Sequence, residues 1–349
     1  MYKPAQVVLY LFLREFFARS EKMHLLLSTH PLPRAKAFLC GFFAAALQGE
    51  IMKPVLGIIA GSVRLDAIFD IATRSTDPVP TPFGTTSSGL KIGMINGQAV
   101  VFLSRHGPGH TIPAHAINYR ANIFALKEQG VTHLVAFTAV GSMREEILPG
   151  HAVIPDQLVD HTTGRKSTFF DNEIAAHVSF AEPFCQPWCE HILDAVRNVY
   201  GYSQTHGGGT YFCMNGPQFS TRAESLAYRK IYDNLTVIGM TAAQEAKLAR
   251  EAEICFAVVA LPTDFCAWNT KAPHTTAAEV TRMAAAHSEQ VERIIRKIAG
   301  IMNDLPLEQQ CRCGCALDGA IMTAFTQQVW PETLNNYDVL LARYRGQNT

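Results

Sequence analysis

The chain predicts an α/β layered fold around a mostly parallel central sheet. Two observations carry that prediction. Apolar runs of strand length alternate with capped, amphipathic helical segments from Val55 to about Met302. The residues able to do chemistry cluster where those strands end, which is where open parallel sheets collect ligands.

The elements follow in order. Val55 to Ile59 is a buried-type apolar run. Leu90 to Ile95 and Gln98 to Leu103 flank Asn96-Gly97, a pair that supplies the positive φ angles of a type I′ hairpin turn. Ile117 to Gln129 reads as a helix, with Ile117, Ala121, Phe124 and Ala125 on one face and Gly130 as its stop. His133 to Phe137 and Ala152 to Pro155 read as strands, and Pro183 to Val199 as a helix. Thr210 to Met214 is a strand. Thr221-Arg222-Ala223-Glu224 is a capping box that opens a helix to Tyr232. Leu235 to Met240 is a strand, and Thr241 caps the helix after it. Ile254 to Leu261 is the last core strand, and Thr276-Ala277-Ala278-Glu279 caps one long helix to about Met302.

Bulk properties exclude several classes. Across 349 residues the formal net charge is zero, so no basic surface for nucleic acid or anionic membrane is expected. The apolar runs Val7–Leu13 and Phe38–Leu47 are too short for the roughly 18–20 residues of a membrane span. The first 51 residues read as a helical extension or as a stretch upstream of a start at Met52. The odd cysteine count of nine, with no clear secretory signal, fits a reduced cytoplasmic setting. Cys311-Arg312-Cys313-Gly314-Cys315 reads first as a packed, reduced tail, second as a disulfide and third as a metal tract. Zinc takes four ligands, commonly with CxxC spacing, and no HExxH signature is present.

Six segments, most of them at strand ends, could bind a phosphate, a ribose and a purine. Ser104-Arg105-His106-Gly107-Pro108-Gly109-His110 puts a planar guanidinium and imidazoles on an open backbone. Ala60-Gly61-Ser62 and Thr138-Ala139-Val140-Gly141-Ser142 offer free N–H groups and hydroxyls; each serves equally as a plain tight turn. Met240-Thr241 sets a thioether and a hydroxyl at a helix N-terminus, where anions are favoured. Phe219-Ser220 places an aromatic at a loop-to-helix junction. Asp264 ends the last strand, where burial would raise its pKa enough to share a proton near neutrality.

Together, in this order, several stretches resemble the 5′-methylthioadenosine phosphorylase branch of the trimeric purine nucleoside phosphorylases. They include Ser104–Gly107, Asn118–Ile123, Gly141–Glu146, Ala181–Cys185, Asn215–Ser225 and Gly239–Thr241. The resemblance covers roughly Pro54 to Leu305. It implies a purine nucleoside phosphorylase-like α/β/α fold with a mixed, largely parallel sheet, a phosphorylase domain over 52–305 and a Cys-rich helical tail over 306–349. It implies phosphorolysis of S-methyl-5′-thioadenosine to adenine and 5-methylthioribose-1-phosphate, with inorganic phosphate as co-substrate and no metal or organic cofactor. Ser62, Arg105, His106, Thr138, Ala139 and Thr241 would hold phosphate. Met240 would lie against the ribose, and Phe219 and Ser220 would line the base pocket. Asp264 would serve purine N7. His110 and His177 would sit near the 5′ substituent, with His177 reaching a neighbouring subunit of a homotrimer.

The chain departs from the family pattern at three places. The first turn reads Ala60-Gly61-Ser62-Val63 rather than Gly-Gly-Thr/Ser-Gly, Asp264-Phe265-Cys266 replaces Asp-x-Asp, and Pro262 precedes Thr263. Cys266 leaves open a 6-oxopurine nucleoside such as methylthioinosine or inosine as substrate. A non-catalytic nucleoside-binding protein of the same fold is the alternative from another class.

Overall fold

Strands β1 (Val55–Ala60), β4 (Gln98–Ser104), β5 (Val131–Ser142) and β11 (Cys255–Phe265) form the parallel centre of the sheet, in the order β4-β1-β5-β11. The computed structural model describes residues 54–61, 68–305, 311–323 and 331–344. The expected N-terminal extension, Ser62 and Val63 lie outside them. The central strands are buried on both faces, which is why their sequences run apolar without alternation; Leu56, Ile58, Leu134, Val135, Ala257 and Val258 are all fully buried.

β2 (Ile71–Thr81) and β3 (Gly84–Ile95) extend the sheet beyond β4 by antiparallel pairing, and the Asn96-Gly97 hairpin joins β3 to β4 as expected. At β5 the sheet forks. The far end of β5 pairs antiparallel with β10 (Leu235–Gly239), which continues through β9 (Thr210–Met214) to β7 (Gln157–His161). β11 instead leads to β6 (Ala152–Ile154) and β8 (Thr205–Gly207). The sheet is mixed and largely parallel.

Helices cover the sheet. They are α1 (Tyr119–Glu128), α2 (Gln186–Tyr200), α3 (Arg222–Ile231), α4 (Ala242–Glu251), α5 (Ala277–Ala286) and α6 (Ser288–Asp304), with the short α7 (Pro331–Asn336) and α8 (Asp338–Leu341) in the tail. α6 buries Val291, Ile294, Ile295, Ile298 and Met302, a helical stripe facing α2 and β4. α3 opens with the expected capping box, Thr221 and Glu224 satisfying each other's backbone N–H.

Two expectations need correction. The single helix expected over Thr276 to Met302 is two helices meeting at His287, where ψ opens to −7°. Tyr200 Oη lies 2.6 Å from His287 Nδ1 and anchors the ring at that break. Thr241 occupies the N-cap position of α4, but its hydroxyl makes no cap hydrogen bond.

Candidate active site

The central parallel strands finish together, and the strand ends open into one cavity of about 1290 Å³. Register places Ala60 beside Ser104 and Phe137, so the residues just beyond, Gly61, Arg105 and Thr138, meet at one floor. β5 and β11 run further as a pair. The register shift between Pro262 and Asp264 re-aims β11 and sets Asp264 beside Gly141, at the other end of the cavity.

Of the thirteen residues singled out, eleven line this cavity: Arg105, His106, His110, Thr138, Ala139, Phe219, Ser220, Met240, Thr241, Asp264 and Cys266. Ser62 lies outside the described residues. His177 is not in the lining; it is exposed, and its N–H donates to Ala320 O in the tail (2.8 Å).

Arg105 forms the floor and is only 1% exposed. Its Nε donates to Glu245 Oε1 at 2.7 Å, Nη1 to Phe137 O at 2.9 Å and Nη2 to Ile59 O at 3.3 Å. Three of five donors thus fix the guanidinium plane, leaving the rest for a guest. Burial pushes the Glu245 carboxyl up, and the adjacent Arg105 charge pulls it back. Gly61 packs directly over this group: a Cβ there would lie 2.9 Å from His106 Cδ2 and 3.0 Å from Arg105 Nη1.

His106 stacks on His110 with ring centroids 3.9 Å apart. Burial, and then the Arg105 charge, lowers the His106 pKa to about 3, so the ring is neutral near pH 7. Its Nδ1 lies 2.8 Å from Ile112 O; a carbonyl can only accept, so Nδ1 carries the hydrogen and Nε2 keeps a lone pair. Thr241 adds a buried hydroxyl that has no partner. An unmet buried hydroxyl in the same cavity as a fixed guanidinium is what an anion site leaves for its ligand.

The opposite end joins the last residues of β11 to the loops around it. Asp264 Oδ1 accepts from Thr263 (2.9 Å) and Oδ2 from Thr275 (2.5 Å). Burial raises its pKa against the pull of those two hydroxyls. The nearby Trp268 Nε1 donates to Ser142 O at 2.8 Å. Asp264 is the only carboxylate among the described residues lining the cavity. Cys266 Sγ lies 3.1 Å from both Ser220 Oγ and Ser225 Oγ, which are 2.8 Å from each other. Phe219 at the rim is 46% exposed.

Several contributors were not legible in the sequence. Glu245 meets Arg105 across 140 positions, and only its place one turn into the helix after Thr241 hints at the site. Arg165 donates to Met240 O and Asn215 O, both at 2.5 Å, and to Gln244 Oε1, so it holds the two loops that carry Met240 and Gly216. Gly216 has φ +68°, and a Cβ there would meet Met240 Sδ at 2.6 Å. Thr275 and Ser225 also went unpredicted.

The chain is similar to known proteins over most of its length. Residues 56–299 match the model of the phosphorylase superfamily. An S-methyl-5′-thioadenosine phosphorylase of Geobacter sulfurreducens is 40% identical over 296 residues, covering 84% of this chain and all of the relative. That of Hyperthermus butylicus is 44% identical over 272 residues, 78% of this chain and 97% of the relative. A methylthioadenosine phosphorylase from an antarctic soil metagenomic library has a crystal structure that superposes with a TM-score of 0.73 at 36% identity, covering 83% of this chain and 99% of that one. The Schistosoma mansoni enzyme in complex with adenine gives 0.71 at 31% identity, covering 76% and 98%.

Proposed function

We propose a function from one premise: the chain belongs to the phosphorylase superfamily and, within it, to the S-methyl-5′-thioadenosine phosphorylases. It is a pentosyltransferase that uses inorganic phosphate to split S-methyl-5′-thioadenosine into adenine and 5-methylthioribose-1-phosphate. The carrying observation is the polarity of the cavity: a guanidinium fixed at one end, a lone carboxylate at the other, and an unpartnered buried hydroxyl in the same lining.

Phosphate binds on the floor. Arg105 offers its remaining donors, Thr241 and Thr138 their hydroxyls, and Ala139 and Gly61 allow close backbone approach. The Nε2 lone pair of His106 accepts the P–OH hydrogen of monohydrogen phosphate. Ser62, next in sequence after Gly61, is proposed to add its hydroxyl to the phosphate site. Met240, fixed from below by Arg165, supports the ribose so that C1′ faces the anion.

A phosphate oxygen attacks C1′ from the face opposite the base. The C1′–N9 bond breaks and its electrons pass to the purine. The sugar gains positive charge as it does so, and the phosphate charge stabilises it. Asp264 holds a proton at N7, so the base leaves neutral; the raised pKa from burial suits that role. Phe219 stacks on the purine, Ser220 and Cys266 face its edge, and His110 flanks the 5′-methylthio group. No metal or organic cofactor takes part in this scheme.

The active form is proposed as a cytoplasmic homotrimer in which His177 reaches a neighbouring site, which sedimentation together with His177→Ala kinetics tests. No helix among the described residues is long and apolar enough to cross a membrane. The proposed organisation is a phosphorylase domain over 52–305 and a Cys-rich tail over 306–349, with residues 1–51 an extension or a stretch upstream of a start at Met52.

Cys266 gives a specific reason to weigh a 6-oxopurine substrate, because a thiol replaces the second carboxylate of the family pattern. One assay separates the readings: base release from methylthioadenosine and methylthioinosine, with and without phosphate. The expected result is strict phosphate dependence with methylthioadenosine preferred. Preference for the 6-oxo nucleoside, or turnover without phosphate, overturns the proposal, and binding without turnover supports the non-catalytic alternative.

A further inference from the structure

We propose that Cys185, Cys255, Cys311 and Cys313 bind one zinc ion as a four-thiolate site that fastens the C-terminal tail to the sheet. The four Sγ atoms all lie within 4.8 Å of one another, with Cys255 and Cys311 3.4 Å apart. A tetrahedron with Zn–S bonds of about 2.3 Å has S···S edges of about 3.8 Å, so no pair exceeds that edge by more than about 1 Å. Three of the cysteines are buried and Cys311 is half-buried. Four protein ligands in a buried setting leave no open position, which marks a structural site rather than a catalytic one. An all-sulfur donor set selects a thiophilic ion over magnesium or calcium.

The ligands come from three elements that are far apart in sequence. Cys185 sits at the N-cap position of α2, yet its side chain makes no cap hydrogen bond. Cys255 is the first residue of β11. The Cys185 N–H donates to Phe256 O at 2.9 Å, so this half of the site is held by rigid structure. The tail brings Cys311 and Cys313 on one turn. Cys315 is excluded: its Sγ turns back to Arg312 O. The spacing is not the usual CxxC, which is why the sequence ranked metal last for this tract.

Zinc binding is redox-neutral: four thiols release four protons to solvent, and the ion and four thiolates leave the site with a net charge of 2−. What the ion secures is visible downstream. Ile321 bridges to Ala176, Ala320 O accepts from His177, and Met322 N–H donates to Ala175 O. The tail thereby props the 174–177 segment.

The test uses the full-length protein, purified under reducing conditions without chelator. Elemental analysis should find one zinc per chain, released in step with thiol modification by a mercurial. Reloading the stripped protein with Co²⁺ should give the charge-transfer and tetrahedral ligand-field bands of cobalt–thiolate coordination. The double variant Cys311→Ser/Cys313→Ser should lose the zinc and speed hydrogen exchange in 174–177 and 311–323. If that variant fails to fold, the wild-type cobalt spectrum still decides. Protein that neither holds nor takes up zinc, or peptide mapping that finds disulfides among these four cysteines in the reduced preparation, overturns the proposal. These readouts are independent of the phosphorylase reading.

Discussion

The two ends of the cavity are built by opposite means. The anion end is made of strand termini, and its key side chain, Arg105, is buried and held by a carboxylate and two main-chain carbonyls. The base end joins the tip of β11 to loops: Phe219 is half-exposed, and the side chains of Asp264 and Cys266 are held only by hydroxyls. Rigidity is concentrated where the ligand does not change. Phosphate is common to every substrate in this chemistry, so its site can be fixed by backbone. The base varies, so its site rests on side chains that can change without disturbing the sheet.

The largest effect is expected at Arg105, the anchor of the anion end. Arg105→Gln should lower kcat/KM by about 10³-fold, as loss of a fixed oxyanion donor does. It should also destabilise the fold by about 3–5 kcal/mol, because Glu245 is left buried and uncompensated. The double variant Arg105→Gln/Glu245→Gln should recover most of that stability and none of the activity. Chemical denaturation with steady-state kinetics on all three proteins separates the two roles. If the double variant regains activity, the guanidinium is not the anion's anchor.

At the base end the largest expected effect is chemical rather than structural. Asp264→Asn keeps the size and one acceptor oxygen, so one threonine hydroxyl still donates to it while the other must turn to accept from the amide NH2; the amide cannot share a proton with N7. Turnover of methylthioadenosine should fall by about 10²–10³-fold. Melting temperature should stay nearly unchanged, since the group is only partly buried. An equal loss of stability and activity would make Asp264 a structural residue like Glu245.

The contrast also explains what could be read from the sequence. Strand ends were legible because buried parallel strands are continuous apolar runs, and Arg105, Thr138 and Asp264 follow them directly. β2 was missed because Pro78 and Pro80 argue against a strand; they are tolerated because β2 is an edge. Glu245 and Arg165 were missed because their partners are fixed by the fold and leave no local pattern. The convergence of Cys185 and Cys255 on the tail cysteines was hidden for the same reason.

A third measurement sharpens the anion end through pH. His106 is buried neutral, with its pKa lowered from 6.5 to about 3. The unfolded chain therefore binds a proton below pH 6.5 that the folded chain refuses. Its contribution is fully present above pH 6.5 and is lost on acidification toward pH 3. Between pH 6.5 and pH 5 the loss should be roughly 2 kcal/mol from this residue. Urea unfolding of wild type and His106→Gln at both pH values gives the difference. Parallel pH profiles would mean that His106 is charged in the folded protein. His133, also lowered by burial to about 4, remains in both proteins and cancels.

The smallest effect probes the adaptability of the base end. Cys266 Sγ contacts two serine hydroxyls that are themselves within hydrogen-bonding distance. In Cys266→Asp both hydroxyls can rotate to donate to the new carboxylate, so the buried charge is met rather than orphaned. A second acceptor then faces the 6-amino edge of the purine. The ratio of kcat/KM for methylthioadenosine over methylthioinosine should rise by about tenfold, the value of one charge-assisted hydrogen bond. The 6-oxo edge gains nothing, since its oxygen accepts and meets a carboxylate that cannot donate. An unchanged ratio would place position 266 outside base recognition. Discrimination would then rest on Asp264 alone, and the base end would be as rigidly committed as the phosphate end.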